Sequence, residues 1–247
     1  MINLGLEDLT QIELLYGSFS FIFVVISIIM GFRILIKYFE VKRVEFITIG
    51  LAWILMTSGW WRVTFNFPLV ILLNLEVPHI IGIIIDSVFI PVAVLCWMYS
   101  FCVLVYPNSL KKIMTIYLLI CLIYEAILIY LIITDPDQVI TIISTFNSKY
   151  NLYPYLFSIF GILTFNITGI LFTMKSFRSE DLKIRWKSKF LLLAFILFTI
   201  GAIFDAGVRM DVFTLVIVRS ILIISSILYY MGFLLPDKVA NWLIKEK

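Results

Sequence analysis

The chain has 247 residues, 62% hydrophobic and 14% charged, with a formal net charge of +3 and a mean hydropathy of +1.09. A soluble domain carries about 45–50% apolar and about 25% charged residues, so this composition excludes a water-soluble globule and predicts a membrane protein whose apolar surplus faces lipid. The basic residues flank the apolar stretches instead of gathering in a patch, so no nucleic-acid partner is expected.

A transmembrane helix needs about 20 mainly apolar residues. In chain order the first such stretch is Leu14 to Ile36, the second Phe46 to Phe65 and the third His79 to Val105. The fourth is Ile113 to Thr134, the fifth Leu152 to Met174, the sixth Phe190 to Val208 and the seventh Val212 to Leu235. Two further apolar segments are too short to cross. Pro68 to Leu75 is expected to lie at the interface or fold back over the bundle, and Gln138 to Ile143 is a similar short piece. The fold class is therefore all-α, a polytopic seven-helix bundle forming one domain over residues 1–236. Residues 237–247 form a short amphipathic tail, in which Val239, Trp242 and Leu243 share a face suited to the membrane surface. The N-terminal residues lack a basic stretch, so no cleaved signal peptide is expected.

Lysine and arginine set the orientation. Fifteen of the nineteen flank one side: Arg33 to Arg43 after the first span, Lys111 and Lys112 after the third, Lys175 to Lys189 after the fifth, and the tail. The other side holds only Lys149 and Arg209, together with acids such as Glu7, Asp8, Glu76, Asp135 and Asp137. The N-terminus is thus expected outside and the C-terminus in the cytoplasm, in a multi-pass protein of the plasma membrane. The segment 175–189 is the most basic, and is expected to contact anionic lipid or a cytoplasmic partner.

No lysine falls inside a span, but Arg62, Asp86, Glu125, Asp205 and Arg219 do. A charge at the bilayer centre costs about 2.5–3.5 kcal/mol on insertion scales, so such residues mark structural pairs or functional sites. Counting a 1.5 Å rise per residue puts Arg62 and Asp205 in one tier about 6 Å deep, and Asp86 and Arg219 in another about 12 Å deep. Matched depth predicts that Asp86 faces Arg219 inside the bundle. Glu125 stands alone near the midplane, and Asn166 lies at a similar level in the fifth span. Trp61 adjoins Arg62. Gly82 lies one turn above Asp86, and Pro91 should kink the third helix just below it. His79, the single histidine, is expected as a hydrogen-bonded rim residue. One histidine without cysteine or clustered carboxylates makes no metal site. The sequon at Asn166 is mid-membrane and is expected to stay unmodified.

Seven helices, an outside N-terminus and this length resemble microbial rhodopsins in outline. That family's motif is a lysine in the seventh helix carrying the retinal Schiff base. The seventh span here has Arg219 and no lysine, and arginine stays protonated, so covalent retinal is excluded and no cofactor is expected. Rhodopsin-class receptors are similar in outline too, but VLVYPNSLKK stands where DRY would, and YYMGFLLP replaces NPxxY. The outline also resembles the seven-helix input region of some bacterial sensor kinases, with no kinase following. These resemblances cover architecture and no motif, so the sequence points to no family.

The expected function is that of a receptor- or sensor-like protein. Arg62, Asp86, Asp205 and Arg219 would line an outer-half pocket for a small ligand, with Glu125, His79, Trp61 and Asn166 as further members of the polar network. The segment 175–189 would carry the signal. A carrier using Asp86 and Glu125 as titrating groups is the alternative, and an accessory subunit of a membrane complex is another. An enzyme is not expected, because no HExxH motif or nucleophile–histidine pair is present.

Overall fold

The computed structural model of the chain describes residues 9–207 and 211–245. Glu7, Asp8, Arg209 and Lys247, which enter the charge count, and Val208, the expected end of the sixth span, lie outside the described residues. Seven helical segments are long and apolar enough to cross a membrane: Gln11–Val41, Glu45–Leu73, His79–Val105, Pro107–Thr134, Leu152–Phe177, Leu182–Ala206 and Val212–Leu234. The chain is thus a multi-pass, all-helical membrane protein, with one small sheet added.

Two spans are broken. The second comprises α1's neighbour α2 (Glu45–Met56), a 3-10 turn over Thr57–Trp60, and α3 (Trp61–Leu73), where α1 is Gln11–Val41. Pro68 sits inside α3, so the expected fold-back of Pro68 to Leu75 is corrected: the helix runs on to Leu73 and ends at Asn74, whose φ of 52° closes it as a left-handed cap. The third span comprises α4 (His79–Ser87) and α5 (Phe89–Val105). Pro91 has no N–H to give to the carbonyl of Ser87, and the helix interrupts at that point.

The fourth span is α6 (Leu110–Thr134). After it comes a β-hairpin that the sequence reading did not contain. Strand β1 (Ile140–Ser144) pairs antiparallel with β2 (Asn147–Tyr150), from Ile140 opposite Tyr150 to Ile142 opposite Ser148, and the register then shifts by one residue so that Ser144 stands opposite Asn147. This replaces the expected short apolar piece at Gln138 to Ile143. The remaining helices are α7 (Leu152–Phe177), α8 (Leu182–Gly207), α9 (Val212–Leu234) and α10 (Asp237–Lys245). Because α7 ends late and α8 starts at Leu182 instead of Phe190, most of the expected basic loop 175–189 is helical. In the tail helix α10, Ala240 is buried and Val239 and Leu243 are half-buried, whereas Trp242 is 63% exposed.

Packing closes a ring of six spans. The first packs on the second, the second on the third, the third on the fifth, the fifth on the sixth, the sixth on the seventh, and the seventh on the first. The fourth packs on the third, outside this ring. Close approach of the first two spans needs glycine: a Cβ at Gly50 would stand 2.5 Å from the carbonyl oxygen of Gly31. The centre of the ring is aromatic, with Trp53 stacked on Tyr229 at 4.0 Å and Trp97 packed on Phe165 at 4.5 Å between ring centroids. Trp97 Nε1 donates to Thr168 Oγ1 at 2.7 Å, whereas the Nε1 of Trp53 has no partner among the described residues. Above this floor, at the end of the bundle carrying the hairpin, lies the candidate site.

Candidate functional site

The charged residues pair, but between different partners than matched depth predicts. Arg62 Nε lies 3.6 Å from Asp86 Oδ2, and Arg219 Nη2 lies 3.0 Å from Asp205 Oδ1. The expected Asp86–Arg219 pair is therefore corrected. The second and third spans are ring neighbours, as are the sixth and seventh, while the third and seventh are not. A long arginine side chain absorbs a depth mismatch of one helical turn that residue counting treats as decisive.

The 3-10 break explains the first pair. Each helix start leaves N–H groups without intrahelical partners. At the start of α3 the preceding residue, Trp60, supplies no side-chain cap. Asp86 supplies it from the third span, accepting the backbone N–H of Arg62 at 2.8 Å. The carboxylate thus caps a helix N-terminus, where the dipole favours negative charge, and pairs with the guanidinium of the same residue. Arg62 passes across Gly82: a Cβ there would fall 2.6 Å from Arg62 Cδ. Asp86 and Arg62 are both essentially buried, at 1% and 3% exposure.

This pair also holds the hairpin. Arg62 Nη1 donates to the carbonyl of Thr145 at 3.4 Å, and Asn66 Nδ2 donates to the same oxygen at 3.2 Å. At the other strand, the Tyr150 hydroxyl donates to the carbonyl of Asp86 at 2.9 Å. Burial first, and the Asp86 carboxylate second, push the Tyr150 phenol well above its ordinary value, so it stays a donor. Between these points Phe146, at the hairpin turn, is buried against Val63, Val70 and Phe67. Phe67 in turn fills the space that Gly17 leaves, where a Cβ would fall 2.3 Å from Phe67 Cδ2.

Under the hairpin lies a cavity of about 290 Å³. Its walls come from the first, second, third, fifth, sixth and seventh spans, and its cover from residues 146–150. The second pair is in its wall. Asp205 accepts from Trp60 Nε1 at 2.6 Å and forms its ion pair with Arg219. The Arg219 guanidinium carbon lies 5.8 Å from the ring centroids of both Tyr16 and Trp60, a cation between two aromatic rings. Arg219 is 3% exposed, and its Nε and Nη1 have no partner among the described residues.

Of the eight residues singled out from the sequence, Asp205 and Arg219 line the cavity. Arg62 and Asp86 lie behind its cover and do not line it. Trp61 also turns away: its Nε1 donates to Thr57 Oγ1 at 3.2 Å and its ring packs on Phe89, and the neighbouring Trp60 takes the place in the site. His79 Nε2 stands 3.4 Å from Asp137 Oδ1, at the rim of the bundle and apart from the cavity. Asn166 donates to Thr199 Oγ1, joining α7 to α8. Glu125 lies on the span outside the ring, and its Oε2 is buried with no partner among the described residues. Sequence reasoning missed Tyr16, Tyr155 and the hairpin residues. The one usable signal was Lys149, a lysine on the side otherwise poor in them. Among the described residues no group of three or more histidine, cysteine or acidic side chains is placed to hold a metal.

Compared with known proteins, the chain matches no protein-family model and no curated protein sequence.

Proposed function

We propose that this is a receptor- or sensor-like protein of the plasma membrane that binds a small ligand in the cavity beneath the hairpin. The observation carrying this reading is the Asp205–Arg219 pair, its arginine buried, set into the wall of a covered cavity. Ion pairs that only orient helices need no empty space beside them, and binding sites are concave, mostly apolar and furnished with a few polar groups. The excess of lysine and arginine at the opposite end supports an outside N-terminus, a cytoplasmic C-terminus and a cavity that opens to the exterior. The broken second and third spans, joined through Asp86, are the natural place for a ligand to favour one helix arrangement over another. The signal would leave through the lysine-rich ends of α7, α8 and α10, against anionic lipid or a cytoplasmic partner.

The test is a thermal-stability screen of small polar and amphipathic compounds against the protein in nanodiscs, run beside an Ala202→Trp variant that fills the cavity. Compounds that stabilise the wild type and not the filled variant are expected. Spin labels replacing Lys111 and Lys175 should then change their separation when such a compound binds. A compound that binds without moving the lysine-bearing end, and instead accumulates in liposomes, would reject the sensor reading in favour of a carrier. The unpartnered carboxyl of Glu125 on the peripheral fourth span favours one second reading, an accessory role in which a partner's helix supplies the missing donor.

A further inference from the structure

We infer that the ligand of this cavity is a monoanionic amphiphile, a small organic carboxylate whose charged end meets Arg219 and whose apolar end lies along Ile159, Ile162 and Phe198. This rests on the ligand-binding reading above and adds the chemistry of the ligand. Asp205 is the single carboxylate in the cavity wall among the described residues, and both its oxygens have a partner: Oδ1 Arg219 Nη2 at 3.0 Å and Oδ2 Trp60 Nε1 at 2.6 Å. Donors are left over. A guanidinium carries five N–H groups, and those on Nε and Nη1 of Arg219 meet no acceptor among the described residues; both nitrogens are buried, so a ligand reaches them by a turn of the Arg219 side chain toward the cavity it lines. Tyr16 and Tyr155 also line the cavity, and their hydroxyls form no hydrogen bond among the described residues. Lys149 adds an exposed ammonium at the covering strand, with no salt bridge among the described residues.

Charge and size narrow the class. With Asp205 set against Arg219, Lys149 is the one uncompensated charge of the lining among the described residues, which suits one negative charge and not several. A cationic ligand would find the Asp205 carboxylate already taken. A neutral one would leave the arginine donors unpaired in a desolvated place. Most of the remaining wall is aliphatic or aromatic, so the ligand needs an apolar part. A volume of about 290 Å³ is at the small end of ligand pockets, too small for a two-chain lipid.

The same carboxylate-recognising chemistry could be met from water or by an acidic lipid headgroup, and the proposal commits to the free carboxylate. Calorimetric titration of the full chain in phosphatidylcholine nanodiscs with hexanoate, hexanol and hexylammonium tests it. Hexanoate should bind at least about tenfold more tightly than hexanol, the ratio that one charge-assisted hydrogen bond supplies, and hexylammonium should not bind. Lys149→Gln, at an exposed position, should weaken hexanoate and leave hexanol unchanged. The paired change Asp205→Asn with Arg219→Gln, which leaves no lone buried charge, should abolish the difference between the two. Equal binding of hexanoate and hexanol, or binding of none of the three, overturns the anion. Tight hexylammonium binding that the filled Ala202→Trp variant abolishes also overturns the anion but keeps the pocket. Loss of hexanoate binding in discs containing phosphatidylglycerol assigns the site to a lipid headgroup and overturns the free carboxylate.

Discussion

The two intramembrane ion pairs are made of the same residue types and do different work. Arg62 and Asp86 are sealed between neighbouring spans. Their hydrogen bonds go to a helix start, to the hairpin turn and, through the Asp86 carbonyl, to Tyr150. Arg219 and Asp205 stand in a cavity wall, with Asp205 14% exposed and two guanidinium nitrogens unpartnered among the described residues. Arg62 too keeps two guanidinium nitrogens, Nε and Nη2, without a hydrogen bond among the described residues, so spare donors do not separate the pairs; the first one's bonds go to architecture, and the second stands beside open space. A buried charge in a membrane protein is thus diagnosed by where its hydrogen bonds go more than by its depth.

The largest expected effect breaks the architectural pair. Asp86→Ala removes the partner of a buried arginine and the cap of α3 together, and should cost about 3–5 kcal/mol in reversible unfolding in mixed micelles. A loss below about 1 kcal/mol would show that the pair is not structural. Gly82→Val should come next, at about 1–3 kcal/mol, because its side chain claims the path of Arg62. Its damage should largely disappear in an Arg62→Ala background, which a double-mutant cycle would read as coupling.

Asp205→Asn sharpens the contrast from the other side. An asparagine keeps an acceptor for Trp60, and the cavity leaves room for water beside Arg219, so about 1–2 kcal/mol is expected. A loss matching that of Asp86→Ala would erase the distinction between the pairs. The smallest effect lies at the lysine-bearing end. The Lys183 ammonium, 2.8 Å from Asp237, holds that carboxyl below its ordinary value of 3.8. A lowered folded-state value stabilises above the unfolded one and is lost as pH falls through the folded one. Docking of α10 should therefore weaken on acidification below about pH 4, and Asp237→Asn should remove that dependence. An environment-sensitive label replacing Asn241 would report it.

Much of the architecture was legible in the residues. Runs of apolar residues located all seven spans, since nothing but a helix satisfies its backbone in lipid at that length. The four charged residues that form pairs stood out for the same reason. Their pairing was not legible, because depth counting treats helices as equal rods and ignores which spans touch. The hairpin escaped notice because NSKY carries no apolar alternation; its buried residues are Ile140 at the start of β1 and Phe146 at the turn, with Tyr150 half-buried. Trp60 and Trp61 are neighbours in sequence, and only the turn between α2 and α3 sends one to the cavity and the other away from it.

By itself, the sequence determined the class of protein, the number of spans and the residues too costly to bury without cause, because lipid penalises each polar group locally. Tertiary structure alone decided which acid meets which base, which tryptophan faces the cavity and that a hairpin covers it. Those outcomes depend on how six helices close into a ring and where two of them break, and such contacts between distant segments leave no local mark in the chain.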